Sequence, residues 1–223
     1  LGHTPFGHAG EDVLSQCMAR YGGFDHNIQT LRIVTLIENK YYKFHGLNLT
    51  IETLDGLIKH NGPVKNLANF KKIFGKDVFR NKIVFNTYPS LEAQVAAISD
   101  DIAYNNHDLE DGLRADLFSI KKIASIPHIS KLINRHLKNI KNFRREIIIS
   151  QIVRDLINLM VVDVINTTNK NLKLFNPRTI NDIYKQDRLM VDFSDKMKKI
   201  DKQIKEFLKY NMYNHKKVIT SAN

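Results

Sequence analysis

Cysteine, long apolar runs and, in the second half, glycine are what this chain of 223 residues has least of. Cys17 is its single cysteine, which excludes an intrachain disulfide and fits a reducing compartment, so we expect a cytoplasmic protein. No apolar run approaches the roughly 18 residues of a membrane-spanning helix, and we therefore expect no membrane partner. The chain does not begin with methionine, and we expect that a functional motif starts before Leu1.

Charge and glycine divide the chain into two parts. Residues 1–115 carry 12 Lys and Arg against 13 Asp and Glu, whereas residues 116–223 carry 22 against 10. All ten glycines lie between Gly2 and Gly112. The sequence therefore predicts two regions, a balanced one with tight backbone positions over 1–115 and a basic helical one over 116–223.

Helical spacing of apolar residues dominates the chain and predicts an all-α fold. Asp25 and Thr50 stand where N-caps are expected, before the second and third helices. Residues 64–89 are ambiguous between a short helix and an extended link that includes 82–85. The predicted helices cover 8–21, 27–42, the segment after Thr50, 91–109, 115–123, 127–142, 144–167, 178–186 and 188–212.

A histidine- and glycine-rich segment at the start of the chain is the first candidate site. His8 and Glu11 lie three residues apart on one face of a predicted helix, and an imidazole beside a carboxylate suits proton transfer. His3 precedes Pro5 and is therefore expected on the turn that enters the helix. The same spacing also describes a helix-entry turn with histidines that have no function.

A polar stripe on the helix 91–109 and its continuation is the second candidate. Its members are spaced four, three and four residues apart, and alanines surround them, so we expect a buried helix whose carboxylates face a metal and whose tyrosine faces a phosphate. The alternative is an acidic face exposed to solvent. The stripe comprises Asp100, Tyr104, His107 and Asp111.

Two further patterns stay open on the residues alone. His26 follows the predicted cap Asp25 and belongs either to a site or to an ordinary surface. The basic runs 131–145 and 196–217 either attract nucleic acid or nucleotide phosphates, or are solvated helix faces.

Three segments, taken together and in this order, resemble one family, the HD-domain deoxynucleoside triphosphate triphosphohydrolases, also called dGTPase-like proteins. Gly-Leu-Asn-Leu-Thr at 46–50 and Lys-His-Asn-Gly-Pro at 59–63 add to the likeness, which is dense over 1–115 and only general beyond. The three segments are Leu-Gly-His-Thr-Pro-Phe-Gly-His-Ala-Gly-Glu at 1–11, Gly-Phe-Asp-His-Asn-x-Gln-x-Leu-Arg at 23–32 and Asp-Asp-Ile-Ala-Tyr-Asn-x-His-Asp at 100–108.

The resemblance implies a metal-dependent hydrolase that cleaves a dNTP into a deoxynucleoside and triphosphate. Residues 1–115 would be the C-terminal part of a helical HD core, and 116–223 a basic helical region. A divalent metal such as Mg or Mn would be held by a His, a His-Asp pair and a distant Asp, of which only Asp100 falls within this chain. We therefore expect the isolated chain to be inactive, although its parent would be an enzyme and commonly an oligomer.

The same resemblance implies a role for each candidate residue. His8 and Glu11 correspond to the catalytic pair, and His3, His26 and Tyr104 to contacts with the substrate phosphates. Three other interpretations stay open. The chain could be a remnant that binds nucleotide or nucleic acid without catalysis, another HD-type phosphohydrolase, or the partner of a polypeptide that supplies the missing ligands.

Overall fold

The computed structural model describes residues 1–65, 70, 74, 83–138 and 141–222, and in these residues the regular structure is helical. A single isolated bridge between Tyr41 and Phe44 is the only β-pairing in the described part. The predicted all-α fold is confirmed. Most of the ambiguous segment 64–89 lies outside the described residues.

The α-helices are numbered in chain order. A 3₁₀ turn, Ala19–Tyr21, follows the first helix, and π-helical turns, Ile33–Ile37 and Lys209–Tyr213, follow the second and the ninth. The helices are α1 Gly7–Cys17, α2 His26–Arg32, α3 Ile51–Ile58, α4 Leu91–Arg114, α5 Ile120–Ile123, α6 Ser130–Leu137, α7 Arg145–Phe175, α8 Ile180–Tyr184, α9 Asp195–Leu208 and α10 Lys216–Ala222.

The chain forms two compact units, each of which is built from two stretches of sequence. Unit 1 comprises Leu1–Gln94 and Pro177–Leu189, and unit 2 comprises Val95–Asn176 and Met190–Asn223. None of the helices in the described ranges is long and apolar enough to cross a membrane. The division at residue 115 that charge predicts stays a prediction.

The core of unit 1 joins α2 and α3 to the segment that precedes α4. Both predicted caps are confirmed: the Asp25 carboxylate accepts hydrogen bonds from the backbone N–H groups of Asn27 and Ile28, and the Thr50 hydroxyl accepts one from that of Thr53. Partly buried apolar side chains surround this core. Its buried members are Leu31, Val34, Leu54, Phe70, Phe74 and Ile83.

The second helix is shorter than the sequence predicts. The prediction of a helix to Tyr42 is wrong, because α2 ends at Arg32 and the π-helical turn ends at Ile37. Leu36 and Ile37 are each 52% exposed, so they bury too little apolar surface to stabilise a longer helix. The chain instead folds back, and the N–H of Leu47 donates to the carbonyl of Val34 over 2.8 Å.

An ion pair is enclosed within unit 1. Lys59 and Asp55 are 1% and 4% exposed, and the Lys59 Nζ lies 2.6 Å from Asp55 Oδ1. The same ammonium donates to the Thr87 hydroxyl over 2.8 Å and stands 5.1 Å from the centre of the Tyr184 ring. Asp55 Oδ2 has no hydrogen-bond partner among the described residues, and burial raises the pKa of this carboxyl.

Unit 2 is a helical assembly in which α7 and α9 supply the largest apolar faces. Phe118 packs edge-on against Phe207, with ring centres 5.0 Å apart. The Asn105 amide donates to Asp201 over 2.9 Å and thereby ties α4 to α9. α7 continues beyond the predicted end at residue 167 to Phe175, and Asn176 then adopts a left-handed conformation.

Candidate active site

Three of the predicted site residues meet in unit 1. The rings of His3 and His26 stack with centres 4.5 Å apart and planes inclined by 21°. Both carboxylate oxygens of Glu11 lie 2.9 Å from His26 Nδ1, and Oε1 also accepts the backbone N–H of His26 over 2.9 Å. Side chains from the entry turn, α1 and α2 thus form one cluster, the His3–His26–Glu11 cluster.

The backbone around α2 explains why this cluster forms. The cap by Asp25 fixes the first turn of α2, and His26 is the first residue of that helix. Gly2 has a φ of +76°, and a Cβ at this position would stand 2.4 Å from both the His26 carbonyl oxygen and the Thr30 hydroxyl. The segment that carries His3 therefore approaches α2 this closely because residue 2 is glycine.

The geometry assigns the hydrogen on the His26 ring. An ionised carboxylate only accepts hydrogen bonds, so Nδ1 of His26 carries the hydrogen that Glu11 accepts. Nε2 is then the ring nitrogen that can accept a proton or, in the protonated ring, donate one. Both side chains are less than one fifth exposed, which holds the imidazole in a defined orientation.

The structure leaves the predicted pairing of His8 with Glu11 open. Residue 8 belongs to α1, one turn before Glu11, but the side chain of His8 is outside the described residues. The described partner of Glu11 is His26, for which the resemblance implies only a phosphate contact. The role of His8 and Glu11 as a catalytic pair therefore stays a prediction.

A cavity of about 340 Å³ adjoins the same end of α2, within unit 1. The ring of His60 is fixed at its rim, because Nδ1 lies 2.9 Å from the Leu57 carbonyl oxygen and Nε2 lies 3.0 Å from the Asn61 amide nitrogen. The sequence pattern assigns no role to His60 or Asn61, although both belong to the Lys-His-Asn-Gly-Pro motif. The cavity is lined by Asp25, Asn27, Ile28, Leu31, Ile58, His60, Asn61, Gly62, Pro63, Val64 and Phe70.

The polar stripe lies on α4, in its unit 2 portion, and it is not buried. Asp100, His107 and Asp111 are exposed, and Tyr104 is 57% exposed, so the expected burial of this face is wrong for the described chain. The alanines beside the stripe predict close packing on all sides, yet alanine is itself exposed at position 96. The metal role of Asp100 and the phosphate role of Tyr104 stay predictions.

A hydrogen bond inside unit 2 lies one turn beyond Tyr104. The Tyr213 hydroxyl donates to Asp108 Oδ2, and burial raises the pKa of both groups. For Tyr213 the carboxylate of Asp108 and the hydroxyl of Tyr104 add to the increase in pKa. The sequence pattern assigns a role to neither Asp108 nor Tyr213.

The described residues do not by themselves fit a catalytic metal. Across 1–65, 83–138 and 141–222, no three His, Cys, Asp or Glu side chains converge as metal ligands would. Such sites generally need three or more protein ligands. A catalytic metal would therefore need ligands in addition to the described residues.

Comparisons with known proteins show which proteins are similar in sequence to this chain. No family model matches the chain. A "Deoxyguanosinetriphosphate triphosphohydrolase-like protein" of Pelagibacter ubique is 53% identical over 223 residues, which is the whole chain and 60% of that relative. Proteins with the same description from Parvibaculum lavamentivorans and Bartonella tribocorum are 44% and 40% identical over 227 residues, and the chain covers 57% of each.

The similarity extends over all 223 residues, including the basic half where the motifs are sparse. The chain nevertheless spans only about three fifths of the length of the curated relatives it matches. Identity at this level and over this length indicates common descent and a common fold. The chain belongs to the family of deoxyguanosinetriphosphate triphosphohydrolase-like proteins.

Proposed function

We propose that the whole protein hydrolyses deoxynucleoside triphosphates to deoxynucleoside and triphosphate with the help of a divalent metal. The observation that carries this proposal is the His3–His26–Glu11 cluster, in which a carboxylate orients one of two stacked imidazoles. Oriented imidazoles can bind phosphate oxygens and transfer protons to them. The family description of the relatives names a triphosphate ester as substrate, in agreement with this chemistry.

Each residue of the cluster has a separate role in this proposal. Glu11 holds His26 through Nδ1, so that Nε2 is available for a phosphate oxygen. His3 stacks on His26 and confines its ring to one plane. His8 would complete the proton transfer with Glu11, and the adjoining cavity would take part of the nucleotide between its apolar wall and the rim at His60.

The divalent metal would polarise a phosphate oxygen or activate a water molecule when bound. In this chain Asp100 is the residue that the resemblance assigns to it, and Tyr104 would contact phosphate. One carboxylate does not retain a catalytic metal, so we expect that the isolated chain 1–223 does not hydrolyse dGTP. Assembly into homo-oligomers and location in the cytoplasm stay predictions.

A fusion protein tests the proposed reaction. The part of the Pelagibacter relative that this chain does not span is joined to residues 1–223, and dGTP hydrolysis with Mn²⁺ is followed by separating the products. The isolated chain and the unaltered relative are the controls. We expect triphosphate release from the fusion protein and from the relative but not from the isolated chain. Orthophosphate or pyrophosphate as the first product would refute the proposed reaction.

Substitutions in the active fusion protein test the cluster. His26→Asn should reduce kcat/KM by about 100-fold or more, which is the usual contribution of a positioned acid or base. The matched control is His45→Asn, because His45 is an exposed histidine of the same unit. Equal activities of the two variants would remove His26 from the proposed site.

A further inference from the structure

A threonine on α2 joins this helix to the residues that precede α1. The hydroxyl oxygen of Thr30 lies 2.9 Å from the carbonyl oxygen of His26, which is the contact that a threonine within a helix commonly makes with the carbonyl four residues earlier. It also lies 2.7 Å from the carbonyl oxygen of Leu1, which is 29 positions away in the sequence. Thr30 occupies one of the two unspecified positions of the Gly-Phe-Asp-His-Asn-x-Gln-x-Leu-Arg segment, so the sequence pattern assigns it no role.

The backbone next to His3 lies directly against the same threonine. A Cβ at Gly2 would stand 2.4 Å from the Thr30 hydroxyl oxygen and 2.7 Å from the Thr30 backbone nitrogen. The residue on one side of Gly2 is Leu1, whose carbonyl accepts the hydroxyl hydrogen, and the residue on the other side is His3. The contact with Thr30 therefore fixes the backbone from which the His3 ring projects.

The other two members of the His3–His26–Glu11 cluster are held by contacts of their own. Glu11 accepts both the backbone N–H and the ring N–H of His26. One turn further along α1, the Ser15 hydroxyl accepts the backbone N–H of Phe24 over 3.2 Å. A change at Thr30 should therefore displace the third member of the cluster and leave the contact between these two in place.

The distances show what removal of the hydroxyl would do. Valine has nearly the shape of threonine, but a methyl carbon approaches a carbonyl oxygen only to about 3.3–3.6 Å. In T30V the Leu1 carbonyl, now 2.7 Å from the hydroxyl oxygen, would lose its donor and would have to move away by about 0.6–0.9 Å. A displacement of about 1 Å in a catalytic site can reduce the rate about 100-fold.

We propose that Thr30 is a positioning residue of the candidate active site, whose hydroxyl holds the backbone of residues 1–3 so that the His3 ring stacks on the ring of His26. This inference rests on the proposed function, because it gives Thr30 a part in the same phosphate-binding site. Thr30 acts through His3 and needs no contact with the substrate.

NMR spectroscopy on the full chain of 223 residues tests the positioning itself. T30V removes the hydroxyl and T30S retains it. T35V is the matched control, because the Thr35 hydroxyl lies 2.6 Å from the Leu31 carbonyl oxygen, the same helical contact, and forms no hydrogen bond with the described residues 1–6. The contacts between the ring protons of His3 and His26 should vanish in T30V and persist in T30S and T35V.

Kinetics of the active fusion protein test the consequence for hydrolysis. T30V should lower kcat/KM for dGTP at least about tenfold, because the His3 ring is displaced. T30S and T35V should stay within about threefold of the unaltered fusion protein, less than the effect of losing one hydrogen bond. Urea denaturation should give similar midpoints for T30V and T35V, since each lacks one helical hydroxyl, so a merely structural role would not separate their activities.

Other results would overturn the proposal. Ring contacts that persist in T30V, or that vanish in T30S, would show that the hydroxyl does not hold His3. Equal values of kcat/KM in T30V and T35V would show that its position has no effect on catalysis. An unaltered fusion protein that does not hydrolyse dGTP would refute the proposed function, whereas the NMR comparison would still decide whether Thr30 positions His3.

Discussion

Replacing Lys59 with methionine should lower the free energy of unfolding of unit 1 by about 3–5 kcal/mol, the usual cost of removing one partner from a buried ion pair. Methionine retains most of the apolar stem of lysine, so the loss of stability measures the contribution of the ammonium group. Without it the Asp55 carboxylate keeps no counter-ion, and Thr87 loses a donor 2.8 Å away. The favourable contact with the Tyr184 ring disappears as well.

The second variant of the cycle is Asp55→Leu, which leaves the ammonium buried, and the third combines both changes. Because the double variant no longer contains the buried pair, it should be less destabilised than the two single variants added together, by at least about 2 kcal/mol. Urea denaturation supplies the free energies, and hydrogen exchange of the α3 amides assigns them to unit 1. Strictly additive losses, or a loss below about 1 kcal/mol for Lys59→Met, would refute the reasoning.

Unit 1 supports three further predictions. Asp25→Ala should cost about 1 kcal/mol in urea denaturation, and Asp25→Ser, which restores a cap, only a few tenths; equal losses would contradict the capping role. Gly2→Ala should separate the stacked His3 and His26 rings, so the contacts between their protons in NMR spectra should vanish; unchanged contacts would contradict the packing argument. Because burial raises the pKa of Asp55 above its ordinary value of 3.8, the folded state binds the proton more tightly, and stability should fall as pH rises through the range just above 3.8. The Asp55→Asn variant should lack this decrease. If stability depended on pH identically in the variant and the unaltered protein, Asp55 would not be its cause.

The helical character of the chain could be predicted from sequence because apolar spacing and caps are local signals. Asp25 and Thr50 are identified as caps by residue type and position alone, and the structure confirms both. The end of the second helix could not be predicted in this way. Leu36 and Ile37 continue the apolar pattern, and only the tertiary structure shows that they are exposed.

The site was predictable where a motif could be recognised and unpredictable where partners come from distant segments. His3, Glu11 and His26 are all identified from the sequence, but the contact of Glu11 with His26 joins residues fifteen positions apart. Lys59 and Asp55 have the spacing of an ordinary surface pair, so nothing local indicates that they are buried. Exposure of Asp100 and Tyr104 likewise depends on what packs beside α4.

Each unit is built from two separate stretches of sequence, and this has a consequence for folding during translation. Unit 1 includes Pro177–Leu189 and unit 2 includes the segment from Met190 onward, so neither unit is complete until the ribosome has translated the chain beyond residue 177. Tyr184, whose ring the Lys59 ammonium faces, leaves the ribosome long after the lysine does. During that interval the nascent chain exposes apolar and charged groups that the folded protein encloses. A premature stop codon near position 176 would therefore damage both halves of the molecule at once.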